Sequence, residues 1–241
     1  MSVTFESITA WNKSVVYAEG TDAELIEQLW TSPDSLVETG TKLVEKDCVR
    51  TTVRFDGEVD RYVVKRHHER SWRHFAKQCV TRSRAEKCWV DTWFLVKYGY
   101  PTPRPVAYRE NRLGPFRGNS YYVYQYKAGR TLKELATGLK NQRLLRQYVV
   151  QLAQIWKLHQ QLGISLTDGH PANIVVDATG KMWVIDLDKL KFLTDNARKQ
   201  EVLQSTFEST MRGFVGDRFI FDFGMRKYQQ IVEQASSSAA A

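Results

Sequence analysis

Residues 166–192 read LTDGHPANIVVDATGKMWVIDLDKLKF, and this stretch decides the fold. Two apolar runs, NIVV and MWVID, flank the polar turn DATG, which ends at Gly180. Short runs rich in β-branched residues around a glycine-containing turn predict a β-hairpin. Its polar groups are gathered rather than scattered. Asp168 and Asn173 precede the first strand, and Asp186 and Asp188 end the second. A hairpin returns the chain to its starting edge, so these four oxygen-bearing side chains are expected at one open end.

That grouping has a chemical reading. Mg²⁺ takes hard oxygen ligands and keeps several waters, so one carboxylate and one amide suffice when phosphate oxygens complete the shell. Protein kinases place an Asp and an Asn five residues apart in the catalytic loop. The Asp accepts the acceptor hydroxyl proton, the Asn binds Mg²⁺, and a further Asp after the next strand binds metal. Asp168, Asn173 and Asp186 follow that order. Turn-forming Asp and Asn in an ordinary hairpin would explain each pair taken singly. The three together, after a helix, favour phosphoryl transfer.

The helix lies just upstream. In LLRQYVVQLAQIWKLHQQLG, residues Val149, Leu152, Trp156 and His159 recur at steps of three and four, and Gly163 follows as a stop. His159 on this apolar face reads as a core histidine near the catalytic loop. Earlier, KLVEKDCVRTTVRF and RYVVKR flank the turn signal DGE and predict strands between Lys42 and Arg66. Lys65 ends an apolar YVV run, as does the kinase lysine that pairs the α- and β-phosphates. From about Ser71 to Tyr98 the pattern turns helical and basic, with Trp89 and Trp93 four apart as core positions. YGYPTPRPVAY must be extended, and SYYVYQY reads as a strand. TDAELIEQLW predicts a short helix capped by Thr21, and a further helix is expected from about Thr194. A second DFG string, at Asp222, lies too far past the catalytic loop to bind metal and reads as packing.

The chain has 241 residues, 42% of them hydrophobic, which suits two lobes or two small domains. Its net charge of +8 points to anionic partners: phosphates, nucleic acid or an anionic membrane face. The cations of KRHHERSWRHFAK and RSRAEK suit a phosphorylated glycolipid or the inner leaflet; a solvated helix face explains them equally. No RNA-binding motif is visible, so nucleic acid is not the expected partner. Cys48, Cys79 and Cys88 lack metal-ligand spacing and read as reduced thiols. With neither a signal-peptide pattern nor an apolar run of about 18 residues, the expected location is cytoplasmic, peripheral to the inner membrane at most.

SRAEKCW, YGYPTPRPVAY, YYVYQYKAGRTL, LTDGHPANIVV and VIDLDKLKF together resemble the lipopolysaccharide kinase family, over residues 40–192. That family phosphorylates Kdo or inner-core heptose and is related to RIO-type and eukaryotic-like protein kinases. The resemblance implies an α+β, protein kinase-like two-lobed fold using ATP and Mg²⁺. It implies Asp168 as catalytic base, Asn173 and Asp186 as metal ligands, and Lys65 as the phosphate-pairing lysine. Glu86 would partner Lys65, with Asp91 as second candidate. Gln125, Tyr126 and Lys127 would form the hinge that holds adenine through backbone groups.

Three features depart from the family pattern. Leu166 stands where a histidine or similar residue is usual. His170 stands two after the Asp, where Lys or Asn is common, and a neutral imidazole clamps a γ-phosphate less well. The nucleotide loop, Asp47 to Val53, has no glycine, so backbone N–H groups with the Thr51 and Thr52 hydroxyls would cradle the phosphates. The expected organisation is an extension over 1–38, an N-lobe and hinge over 39–127, a C-lobe over 128–233 and a disordered tail over 234–241. The expected activity is Mg-ATP-dependent phosphorylation of an inner-core sugar. Alternatives are a kinase for protein or another small molecule, and a nucleotide-binding pseudokinase scaffold.

Overall fold

The computed structural model describes residues 3–46, 50–57, 60–68, 82–113, 116–138, 141–167, 169–194 and 196–239. They form two compact units, 1–97 with 103–126, and 98–102 with 127–241. The first change of unit falls within the proline-rich YGYPTPRP stretch. The last falls between Tyr126 and Lys127, inside the expected hinge.

The first unit is built on a seven-stranded sheet. Its strands are β1 (Phe5–Ala10), β2 (Lys13–Ala18), β3 (Thr41–Lys46), β4 (Arg50–Asp56), β5 (Arg61–His67), β6 (Pro105–Leu113) and β7 (Phe116–Gln125). They lie in the order β1-β2-β6-β7-β5-β4-β3. Helices α1 (Ala23–Thr31) and α2 (Pro33–Thr39) lie on one face and α3 (Arg84–Lys97) on the other. Side-chain alternation makes this possible. Tyr62, Val64, Tyr121 and Val123 pack with Leu25, Ile26, Leu29 and Leu36 of the α1–α2 layer. Their neighbours Val63, Tyr122 and Tyr124 pack with Ala85, Cys88 and Trp89 of α3.

The first 38 residues are therefore part of this unit rather than an extension to it. Their anchors are polar and distant in sequence. Arg109 donates to the carbonyls of Leu29 and, at 3.2 Å, Trp30; Lys13 donates to the same Trp30 carbonyl at 2.8 Å. These cations satisfy carbonyls that the end of α1 leaves without helical partners, and they complement its dipole. Asp34, in the first turn of α2, accepts from Arg66 and from the Tyr121 hydroxyl, both at 2.7 Å. The cap of α1 is Asp22, whose carboxylate accepts from the Glu24 N–H at 3.0 Å. Thr21, the expected cap, instead donates to the Ala18 carbonyl at 2.5 Å.

The second unit contains β8 (Arg130–Thr131), α4 (Leu132–Gly138) and α5 (Gln142–Leu162). Strands β9 (Ile164–Leu166), β10 (Ile174–Val176), β11 (Met182–Val184) and β12 (Leu190–Phe192) follow, then α6 (Asn196–Phe214) and α7 (Arg218–Ala239). Helix α5 buries the predicted stripe Val149, Leu152, Trp156 and His159. It ends at Gly163, whose φ of 63° is left-handed and suits glycine. The expected disordered tail is helical up to Ala239, in keeping with the high helix propensity of its alanines. Asp222 lies within α7, so the second DFG string is helix. No helix of the described residues is long and apolar enough to cross a membrane.

Candidate active site

The stretch 166–192 is a nested pair of antiparallel ladders. Ile174 opposes Val184 in β10–β11, and outside it Leu166 opposes Leu190 in β9–β12. The Ile185 N–H donates to the Asn173 carbonyl at 2.8 Å and extends the inner ladder by one residue. Two segments, 167–173 and 185–189, are thus tied to each other at both ends. Asn173 lies on the first of these segments and Asp186 on the second, one residue past the Ile185 N–H that bonds the Asn173 carbonyl. Asp168 lies outside the described residues, between the described Thr167 and Gly169.

Each segment has its own local geometry. Pro171–Asn173 is a 3₁₀ turn capped by His170, whose Nδ1 accepts from the Ala172 N–H at 3.2 Å. His170, expected to clamp phosphate, thus has one ring nitrogen committed to the turn that carries Asn173. Leu166 is buried opposite Leu190, so the position that departs from the family pattern is an apolar pair in this chain. Asp186 has φ 63° and ψ 65°, the left-handed region, and is alone among the described non-glycine residues in having positive φ. Such a conformation costs about 1–2 kcal/mol and is best tolerated by Asp and Asn among residues with a side chain. It turns the chain sharply between β11 and the 3₁₀ turn Leu187–Lys189.

Packing beneath the loop uses residues that carried no sequence signal. Thr210 of α6 is buried, and its hydroxyl lies 2.5 Å from the Gly169 carbonyl. The β10–β11 turn is held by Asp177, which accepts from the Thr179 hydroxyl at 2.6 Å, from Trp183 Nε1 at 2.7 Å and from the Thr179 and Lys181 N–H groups. The Thr179 hydroxyl, then Trp183, hold its pKa down at about 2. Gly129 passes so close to β10 that a Cβ there would meet the Val176 carbonyl oxygen at 2.2 Å. His159 is buried, and burial lowers its pKa to about 3. It is therefore neutral at ordinary pH and pairs with the Tyr100 hydroxyl at 2.7 Å, as a core histidine does.

In the first unit Lys65 is buried on the sheet face that carries α3, with its Nζ 5.5 Å from the centre of the Tyr124 ring. A buried ammonium requires anionic or polar company. The second candidate partner, Asp91, is engaged by Lys87 at 2.7 Å. Glu86 makes a longer contact of 3.7 Å with Arg82. Thr52 pairs directly across from Lys65 and shares its face. Thr51 pairs with Arg66, faces the α1–α2 side and lies 3.3 Å from His68 Nε2. The structure therefore does not bring Thr51 to Lys65, because adjacent strand residues point to opposite faces. Both threonines lie in β4 rather than in a loop, and the expected loop residues 47–49 lie outside the described set, as do most of the basic run and Cys48 and Cys79. Cys88 is a buried thiol outside any disulfide.

The hinge backbone is partly committed. The Gln125 N–H donates to Arg104 at 3.0 Å and the Tyr126 N–H to Arg61 at 2.8 Å. The Gln125 amide donates to Asp60 at 3.0 Å, and the Tyr126 ring has Arg54 and Arg61 within 5.6 Å. Of the three hinge N–H groups, that of Lys127 has no backbone partner among the described residues.

A family model described as the lipopolysaccharide kinase (Kdo/WaaP) family matches residues 28–215. The chain belongs to this family. The match takes in both units, from the last turn of α1 through α2, so the lipopolysaccharide kinase region starts well before the β3–β4 hairpin. No curated protein matches the chain in sequence. Among solved structures, the chain is similar to the bifunctional kinase-methyltransferase WbdD, at 16% identity with a TM-score of 0.50. That likeness covers 76% of this chain and 42% of the other. At such identity it speaks for the fold, which is protein kinase-like. This chain spans less than half of that bifunctional protein.

Proposed function

We propose that this lipopolysaccharide kinase family member is a Mg-ATP-dependent kinase that phosphorylates a hydroxyl of an inner-core sugar, Kdo or heptose. The observation that supports the reading is the backbone bond from Ile185 to Asn173, which ties the segment carrying Asn173 to the one carrying the left-handed Asp186. Both offer hard oxygen donors, and neither is buried outright, so a partly hydrated Mg²⁺ fits them. Bound Mg-ATP supplies the phosphoryl group and disperses the charge that builds up during its transfer.

The chain's own residues position and hold. Asn173 and Asp186 are the metal ligands, and His170 orders the turn beneath Asn173. Asp168 orients the acceptor hydroxyl and takes its proton, a contribution of about 10²- to 10⁴-fold. In the first unit Lys65, oriented by Glu86, neutralises phosphate charge, and Thr52 offers a hydroxyl beside it. The Lys127 N–H is the hinge donor for adenine. Membership of the family supports the sugar acceptor, and the positive net charge suits its anionic groups.

The test is transfer of labelled phosphate from Mg-ATP to deacylated inner-core oligosaccharide, with product mass and site read by mass spectrometry. One added phosphate on Kdo or heptose, abolished by chelation of Mg²⁺, is the expected result. ATP binding without transfer, or transfer to protein alone, overturns the reading.

A further inference from the structure

Away from the catalytic loop, the outer faces of α5 and α7 line an open groove of about 780 Å³. That volume lies within the range of small-molecule sites. Arg143, Arg146, Gln147, Gln151 and Gln154 line it, with Phe223 of α7 as its aromatic wall. We propose that this groove binds an acidic oligosaccharide segment of the acceptor, remote from the sugar that is phosphorylated. The inference rests on the kinase reading for the identity of the acceptor, but the groove's chemistry is independent of it.

An ordinary solvated helix face carries acids and bases in i, i+4 pairs. Helix α5 has no Asp or Glu in its 21 residues. No carboxylate among the groove residues balances Arg143 or Arg146, and neither arginine has an ion-pair partner among the described residues. Guanidinium groups bind carboxylates and phosphates through paired hydrogen bonds. The glutamine amides each offer both donors and acceptors, which matches the hydroxyl groups of a sugar ring. The groove thus combines fixed positive charge, amides and an apolar wall, which suits a hydroxylated anion better than an apolar ligand or a cation.

The groove is also held in shape. The Gln151 side chain donates to the Gly180 carbonyl at 3.1 Å, which ties one rim to the β10–β11 turn. The Arg146 guanidinium lies 5.6 Å from the centre of the Phe223 ring. One turn further along α5, Val149 packs against Gly224, where a Cβ would meet the valine methyl at 2.8 Å. The groove starts at the end of α5 opposite Gly163, which leads into the catalytic loop. At 1.5 Å per residue, Gln142 at the groove's far end lies about 30 Å from Gly163, and Gln154 at its near end about 14 Å. A single sugar cannot span either distance, so the ligand class is an oligosaccharide.

The experiment is calorimetry without nucleotide, with deacylated inner-core oligosaccharide that retains its phosphate and carboxylate groups. Wild type is compared with the double variant Arg143→Gln/Arg146→Gln, whose melting temperature is measured as a control for folding. The expected loss of affinity is about tenfold per guanidinium, roughly 10²-fold for the pair. Dephosphorylated, carboxyl-reduced oligosaccharide should bind wild type as weakly as the intact ligand binds the variant. Equal binding by wild type and a folded double variant overturns the proposal. So does undiminished binding of the neutral oligosaccharide, or tighter arginine-dependent binding of a single-stranded RNA oligomer. Arginine-dependent binding in a protein that transfers no phosphate supports the groove and sinks the kinase reading. Transfer with no arginine-dependent binding does the reverse.

Discussion

The backbone N–H of Ile185 donates to the carbonyl of Asn173 at 2.8 Å, and the next residue, Asp186, turns into the left-handed region. A second ladder, Leu166 against Leu190, closes the same two segments from the other side. The relative position of the two backbone segments that carry Asn173 and Asp186 is thus set by strand register. Preorganisation of this kind matters because a kinase site does most of its work by positioning and charge neutralisation.

Asp186→Asn is the clean test of the metal assignment. Asn tolerates the left-handed backbone, whereas Ala would add its conformational cost to the loss of the carboxylate. Phosphoryl transfer should fall by at least about 10²-fold, the size seen when one charge-stabilising contact is lost from a transition state. The melting temperature should hardly move. Near-normal turnover in a steady-state assay would remove Asp186 from the metal site.

Thr210→Val addresses the support beneath the catalytic loop. Valine fills the same space but cannot donate to the Gly169 carbonyl. The loop then loses its anchor next to Asp168, and kcat should fall roughly 10- to 10²-fold while the affinity for Mg-ATP stays level. Thr210→Ser, which restores the hydroxyl, should recover most of the rate. A kcat unchanged in both variants would reduce Thr210 to a packing residue.

Much of this site is legible in the sequence. The hairpin shows as two apolar runs around a turn, and the α5 stripe shows as a 3.6-residue period ending in glycine. Both signals are local. The supports are not. Thr210 sits 41 residues from Gly169, and a threonine inside a helix looks like any other until its partner is placed. The first 38 residues hide for a similar reason. Residues 5–9 of β1 are exposed on both faces, so no alternation marks the strand, and the anchors Arg109 and Asp34 act across more than 70 residues. The two threonines of β4 differ in role only once register assigns them to opposite faces, which a single strand in isolation cannot reveal.

Asp177 makes the β10–β11 turn sensitive to acid. Its pKa in the fold, about 2, lies below the ordinary carboxylate value. A group depressed in this way adds stability that is complete above its unfolded pKa, near 4, and fades as pH falls toward 2. Asp177→Ala should lower the melting temperature at pH 7 by roughly 2–4 °C, the equivalent of about 1 kcal/mol, because solvent screens this open turn. The gap between variant and wild type should narrow steadily below pH 4. A gap that stays constant from pH 7 to pH 2.5 would mean that the carboxylate's charge is immaterial to the turn.

The last prediction separates Thr52 from its neighbour. Both are buried in β4, yet Thr52 lies across from Lys65 while Thr51 lies across from Arg66 and contacts His68. If Lys65 holds the nucleotide phosphates, only Thr52 has a hydroxyl on the side where it can help. Thr52→Val keeps the strand propensity and the volume and removes that donor. One hydrogen bond is worth about 0.5–1.5 kcal/mol, so the affinity for Mg-ATP should weaken roughly 2- to 10-fold. Thr51→Val should leave that affinity alone and act on stability instead, through its lost contact with His68. Calorimetric titration with Mg-ATP and thermal melts on the same two proteins measure both effects. Equal weakening by the two variants would mean that nucleotide contacts in this strand do not follow the face of Lys65. No weakening by Thr52→Val would leave the phosphates to Lys65 and the backbone alone.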